Sequence, residues 1–255
     1  MTLKSLGVAL DVLSMFTKDT PEWGLRELAK EMDINHTILH RILKTFDEKN
    51  FLHQDPSTKR YELGAGVFNL LLVVQNNVSL SDLIYPIMEE LSIETNESAF
   101  LTWKDGFEGV TVEISESSQQ IKFAVSKGSR TPLYVGASTK VIMAYLDLEE
   151  QVKIINNGTK KITERTLLGK EEILGNLQKI KNQGWSYTEG EFSEDVFGMG
   201  VPLFNKVGKI IGSLTIAGPI YRIDNQKRKE ILDNLLFKKT IINEYLQLFD
   251  VDSYR

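Results

Sequence analysis

The chemistry open to this chain is bounded first by what it lacks. Its 255 residues contain no cysteine and only three histidines, His36, His40 and His53. Disulfides, thiolate metal sites and cysteine nucleophiles are therefore excluded. Beyond residue 53 there is neither His nor Cys. This removes histidine bases, Ser-His-Asp triads and the usual transition-metal ligand sets from the C-terminal three-quarters of the chain. An enzyme there would have to use carboxylate or lysine chemistry, with Glu97, Lys140, Glu191 and Asp195 as candidates. Gly198-Met199-Gly200 lacks the spacing and following helix of a phosphate-binding loop. The concentrated polar signal lies earlier. His36, Thr37, His40, Arg41 and Lys44 crowd one short stretch, and Lys59 and Arg60 follow it. Such side chains at helical spacing can donate to base edges and phosphates in a DNA groove.

Bulk charge does not announce DNA binding. The net charge is −5. Residues 1–78 hold 9 Lys+Arg against 10 Asp+Glu, a net of −1. Any DNA affinity must come from a cluster on one face. Composition is that of an ordinary globular protein, 42% hydrophobic and 25% charged. The length suits one large or two ordinary domains. The N-terminus makes a poor signal peptide, and the longest apolar run, 67–74, is too short for a bilayer. A cytoplasmic protein without a membrane partner is expected, with no cofactor and no metal.

The elements that must position the polar cluster follow from apolar spacing. Leu6, Ala9, Leu10, Leu13 and Phe16 predict a first helix with these residues inward. Residues 20–24 read as a break. Leu25, Leu28, Ala29 and Met32 predict a short second helix. Asp33-Ile34-Asn35 reads as a tight turn, with Asp33 at a left-handed position. A third helix is expected over 36–49, with Ile38 or Leu39, Ile42 and Phe46 inward. Two helices across so short a turn have the physics of a helix-turn-helix, with Ala29 as the small crossing residue. Phe51–Gln54 and Lys59–Leu63 flank the turn residues Asp55-Pro56-Ser57-Thr58 and predict a β-hairpin wing. A helix over 67–76 follows. Later segments predict strands at 98–103, 110–114, 121–125, 185–188, 196–204 and 210–217. Helices are expected at 80–94, 137–146, 149–156, 171–182 and 225–249.

Residues 33–43, Asp-Ile-Asn-His-Thr-Ile-Leu-His-Arg-Ile-Leu, resemble the recognition segment of the IclR family of transcription regulators. So do the wing, with Phe51-Leu52, Asp55 and Arg60-Tyr61-x-Leu63-Gly64, and the stretch Arg130 to Lys140. Further likeness lies in Asn182 to Glu191, Gly200 to Phe204 and Leu214 to Pro219. The series covers nearly the whole chain in order. Three positions depart from the family pattern: Asp33 replaces a turn glycine, Thr37-Ile38 a Ser-Thr pair, and Thr139 a glycine.

The resemblance implies an α+β protein. A winged helix-turn-helix DNA-binding domain (1–64) and a linker helix (65–79) would precede a GAF-like domain (80–255), an antiparallel sheet with flanking helices. The last would bind a small effector and mediate oligomerisation. By position the effector site should include Tyr134, Ala137, Ser138, Gly198, Met199, Thr215 and Ala217. Arg130 or Lys140 near its mouth would suit an organic acid. The expected partners are double-stranded operator DNA, a small organic effector, and further copies of the chain as homodimer or homotetramer. Two alternatives stand beside this reading. One is a winged-helix protein-interaction module without DNA affinity. The other is an enzyme in the large domain using carboxylate or lysine chemistry.

Overall fold

The computed structural model describes residues 3–17, 19–70 and 80–248. The chain divides into two compact units, residues 1–78 and 79–255. The N-terminal unit contains α1 (Lys4–Ser14), β1 (Glu22–Gly24), α2 (Leu25–Glu31), α3 (His36–Glu48), β2 (Leu52–Gln54) and β3 (Arg60–Leu63). Residues 65–70 are helical (α4); the rest of the helix expected over 67–76 lies outside the described residues. The head's core is Val12, Phe16, Leu28, Leu39, Leu43, Leu52 and Tyr61.

Two details of the head differ from expectation. Residues 22–24 form a strand rather than a break, pairing with β3 in a sheet ordered β1–β3–β2. The Trp23 indole donates to the Met15 carbonyl at 2.8 Å and ties this strand to the end of α1. Leu6 and Leu10 are each 54% exposed, not inward. The core is met by Val12 in the last turn of α1 and by Phe16 just beyond it.

The C-terminal unit is built on one antiparallel sheet ordered β6–β5–β4–β9–β8–β7. Its strands are β4 (Ser98–Asp105), β5 (Glu108–Ser115), β6 (Arg130–Pro132), β7 (Ser186–Glu189), β8 (Val196–Phe204) and β9 (Ile210–Pro219). Alternation along the strands sends Leu101, Trp103, Met199, Val201, Leu214 and Ile216 to one face. There they pack with α5 (Leu80–Thr95) and α9 (Asn225–Leu248). On the other side, α6 (Ala137–Met143) packs across β8 and β9, backed by α7 (Leu148–Asn156) and α8 (Lys170–Gln183). Residues 121–125, expected as a strand, are irregular. Instead of joining the ladder, Phe123 turns its ring onto Phe100 of β4 and Phe192, with centroids 5.6 and 6.0 Å away.

Candidate functional site

The polar face of α3 is set from below. Leu39 and Leu43 are fully buried, one turn apart, so the opposite side of the helix must face out. Asp33 adopts φ 49° and the Ile34 amide donates to the Ala29 carbonyl at 3.0 Å, which closes the turn between α2 and α3. The Asn35 side chain caps α3 by accepting from the Thr37 amide at 2.9 Å. As a result His36, Thr37, His40, Arg41 and Lys44 are all exposed. Thr37, Arg41 and Lys44 run at i, i+4 and i+7 along the outward face. Arg41 makes no ion pair among the described residues, whereas Lys44 approaches Glu48 only at 3.9 Å on open surface. That contact is weak and leaves the ammonium available. The structure resolves the choice between Ile38 and Leu39. Leu39 is the core residue, and Ile38 stands 53% exposed beside the polar face.

The wing separates the two cations that adjoin in sequence. Lys59, at φ 61°, is exposed at the turn. Arg60 is instead held within the head, 2.9 Å from Glu22, 2.9 Å from Glu27 and 3.2 Å from the Glu22 carbonyl. It fastens β3 to β1 and α2. The turn is organised by Asp55, whose Oδ1 accepts from the Ser57 and Thr58 amides at 2.7 Å each and from the Ser57 hydroxyl at 2.6 Å. These bonds, the Ser57 hydroxyl foremost, bring the Asp55 carboxyl down to about 2.

In the C-terminal unit a cavity of about 70 Å³ opens on the α6 side of the sheet. Ala137, Ser138, Gly198, Thr215 and Ala217, named from sequence, all line it. Tyr134 and Met199 do not. The Tyr134 hydroxyl accepts from the Lys160 amide at 2.7 Å, and Met199 faces the core under α5 and α9. The strand register explains the grouping. Gly198 pairs with Ala217 and Gly200 with Thr215, so all four share one face. A Cβ at Gly198 would sit 3.1 Å from the Ala137 Cβ, and one at Gly200 2.9 Å from the Thr215 hydroxyl. The two glycines therefore let the start of α6 approach the sheet, where Ser186 donates to the Ala137 carbonyl at 2.6 Å.

The wall is completed by residues that sequence reasoning did not single out: Phe100, Thr102, Thr111, Phe123, Thr188 and Phe192. Phe100 and Thr102 stand at alternate positions of one strand, a pattern that could have marked them. Phe123 and Phe192 lie in irregular segments with no periodic signal. The candidate catalytic groups lie elsewhere. Glu97 is buried 3.5 Å from Arg222, and burial pushes its carboxyl up. Lys140 is 1% exposed and bonds Glu191 at 2.7 and 3.0 Å; burial pushes the ammonium down against the pull of that carboxylate. Asp195 is exposed. None of these four lines the cavity.

Comparison with known proteins bears on both units. Residues 5–56 match the IclR helix-turn-helix domain, and residues 73–239 match the family described as bacterial transcriptional regulator IclR C-terminal. The chain is 28% identical over 221 residues to the transcriptional regulator KipR of Bacillus subtilis, covering 84% of this chain and 86% of KipR. It is 29% identical over 211 residues to KdgR of Escherichia coli, covering 82% and 80%. The crystal structure of Thermotoga maritima IclR shares the fold, with a TM-score of 0.63 at 24% identity over 96% of this chain and 99% of that one. With one match over the head and another over most of the remaining residues, this chain belongs to the IclR family of bacterial transcriptional regulators.

Proposed function

We propose that this regulator reads operator DNA with the outward face of α3 and that a small organic effector in the cavity of the C-terminal unit sets its operator affinity. The observation that carries the DNA half is the exposed row Thr37, Arg41 and Lys44, opposite the buried Leu39 and Leu43. Arg41 donates to a guanine edge, with His36, Thr37 and His40 beside it and Ile38 suited to a thymine methyl. Lys44 and Lys59 contact phosphates. Arg60, expected from sequence as a further phosphate contact, acts through the wing it anchors. The effector shifts operator affinity only as far as it binds the two states of the protein unequally.

The protein acts without catalysing a reaction, in the cytoplasm, as a homodimer or homotetramer. The exposed Leu6 and Leu10 on α1, with Leu3 just before it, support self-association. The test is selection of bound DNA from a random-sequence pool by the purified protein, followed by sequencing. An enriched near-palindrome is expected, as a symmetric dimer on two half-sites requires. Folded protein that enriches no sequence at low salt would favour the protein-interaction module instead.

A further inference from the structure

The cavity on the α6 side of the sheet leaves little room. Its volume of about 70 Å³ is small beside the roughly 300–1,000 Å³ usual for organic ligands. Against it lies an outer groove of about 800 Å³, lined by Ile121, Lys122, Arg165, Asp195 and Tyr221 among others. No residue lining the cavity carries an ionisable side chain, whereas the groove presents both charges. Cavity and groove share two lining residues, Phe123 and Val196. These two side chains form the partition between them.

The two halves of the partition are held differently. Val196 opens β8, and its carbonyl accepts from the Gly190 amide at 2.9 Å. The neighbouring Asp195 carbonyl accepts from the Ile220 amide at 2.8 Å. Phe123 instead sits in the irregular run 116–129 between β5 and β6. That run is pinned at both ends. The Ser117 hydroxyl donates to the Asn96 carbonyl at 2.7 Å, and the Ser117 amide donates to the Ser98 hydroxyl at 3.1 Å. At the other end the Gly128 amide donates to the Thr111 carbonyl at 2.7 Å, and the Thr111 amide donates to the Ser129 carbonyl at 2.9 Å. Between the pins, among the described residues, two polar contacts reach the body of the fold. Lys127 pairs with Glu113 beside the second pin. The Arg222 guanidinium donates to the Ile121 carbonyl, close to Phe123.

Arg222 is backed by Glu97, which is 3.5 Å away and 1% exposed. Yet Arg222 Nε and Glu97 Oε2, both buried, have no hydrogen-bond partner. Buried polar atoms left without partners weaken what they hold, so this contact releases readily. The Phe123 ring adds its edge-to-face contacts with Phe100 and Phe192, which an opening of the run would break.

We infer that Phe123 gates the cavity: the run 116–129 swings on its two pins, and Arg222, backed by Glu97, latches it shut. Opening joins the cavity to the outer groove and admits a ligand that the closed space is too small to receive. The inference rests on the cavity being the effector site. Because the chain has no cysteine, an introduced thiol reports access without background. Thr215→Cys places one inside the cavity, and Ala99→Cys places one in the core under α5 and α9. Ala217→Cys, also in the cavity wall, replaces the first should it not fold. Labelling of the full-length protein by methyl methanethiosulfonate is timed by intact mass spectrometry, alone and with Arg222→Gln or Phe123→Ala added. Each added change should speed labelling of the cavity thiol at least about tenfold and leave the core thiol within about twofold. Equal rates in all three backgrounds would overturn the gate, as would a core thiol accelerated as much as the cavity thiol. The adduct should also shift affinity for DNA selected from the random pool. Gated labelling without such a shift would overturn the effector reading and leave the gate standing.

Discussion

Arg41 owes its outward placement to its neighbours on the helix. Because Leu39 and Leu43 are pinned in the core, the guanidinium two residues from each must project outward, and no carboxylate among the described residues draws it back. Arg41→Ala should remove about 1–3 kcal/mol of discrimination between operator and mismatched DNA, measured by competition binding, while random-sequence affinity falls less. Lys59→Ala should act differently, weakening operator and random DNA alike and flattening the salt dependence by about one unit of slope. Asp55 has its own signature. Its folded pKa lies near 2, below the ordinary value of 3.8. The bonds it accepts are thus intact above pH 3.8 and are lost as the pH falls through about 2. The amide resonances of Ser57 and Thr58 should shift across that window, and Asp55→Asn should abolish the titration.

At the scale of elements, α6 is the piece on which the cavity depends. It lies against β8 because Gly198 and Gly200 leave room, and it is anchored by Ser186 and by the Lys140–Glu191 pair. A buried pair of this kind adds little over an apolar substitute, but breaking it leaves a charge in the interior. Glu191→Ala should therefore cost roughly 3–5 kcal/mol in urea unfolding. The double change Lys140→Met with Glu191→Leu should cost much less. The wing obeys a similar logic, since Arg60 joins β1, β3 and α2 through Glu22 and Glu27. At 33% exposure these ion pairs are partly screened, and their role is to set the angle of the hairpin that carries Lys59.

For the whole molecule, the two units divide recognition from sensing. The head carries all three histidines and the exposed cationic face, while the C-terminal unit encloses the uncharged cavity. A ligand that fills the cavity should change operator affinity by a measurable factor, and operator DNA should change the ligand's affinity by the same factor. Titration of each in the presence and absence of the other checks that reciprocity. Self-association belongs to this scale as well. Sedimentation should show a dimer or tetramer, and Leu6→Glu with Leu10→Glu should shift it toward smaller species if α1 contributes to the contact.

Much of this protein is local and was therefore legible in the sequence. Apolar periodicity located the α-helices and most strands, missing β1 and β6 and placing one at 121–125 where the chain is irregular, and turn chemistry marked Asp33 and Asp55. The order of motifs was enough to point to the family. Five of the seven residues proposed for the effector site line one cavity, Gly198, Thr215 and Ala217 because a β-strand sends alternate residues to the same face, and Ala137 and Ser138 because α6 starts against that face. Tertiary structure decided what depends on a distant partner. Arg60 and Lys59 are neighbours in sequence, yet Glu22 and Glu27 claim one and leave the other exposed. Lys140 reads as a free cation until Glu191, fifty-one residues away, is brought against it. The cavity's neutral character arises in the same way. Charge in a sequence is a count, whereas charge in a site depends on which carboxylate the fold has already placed beside each cation.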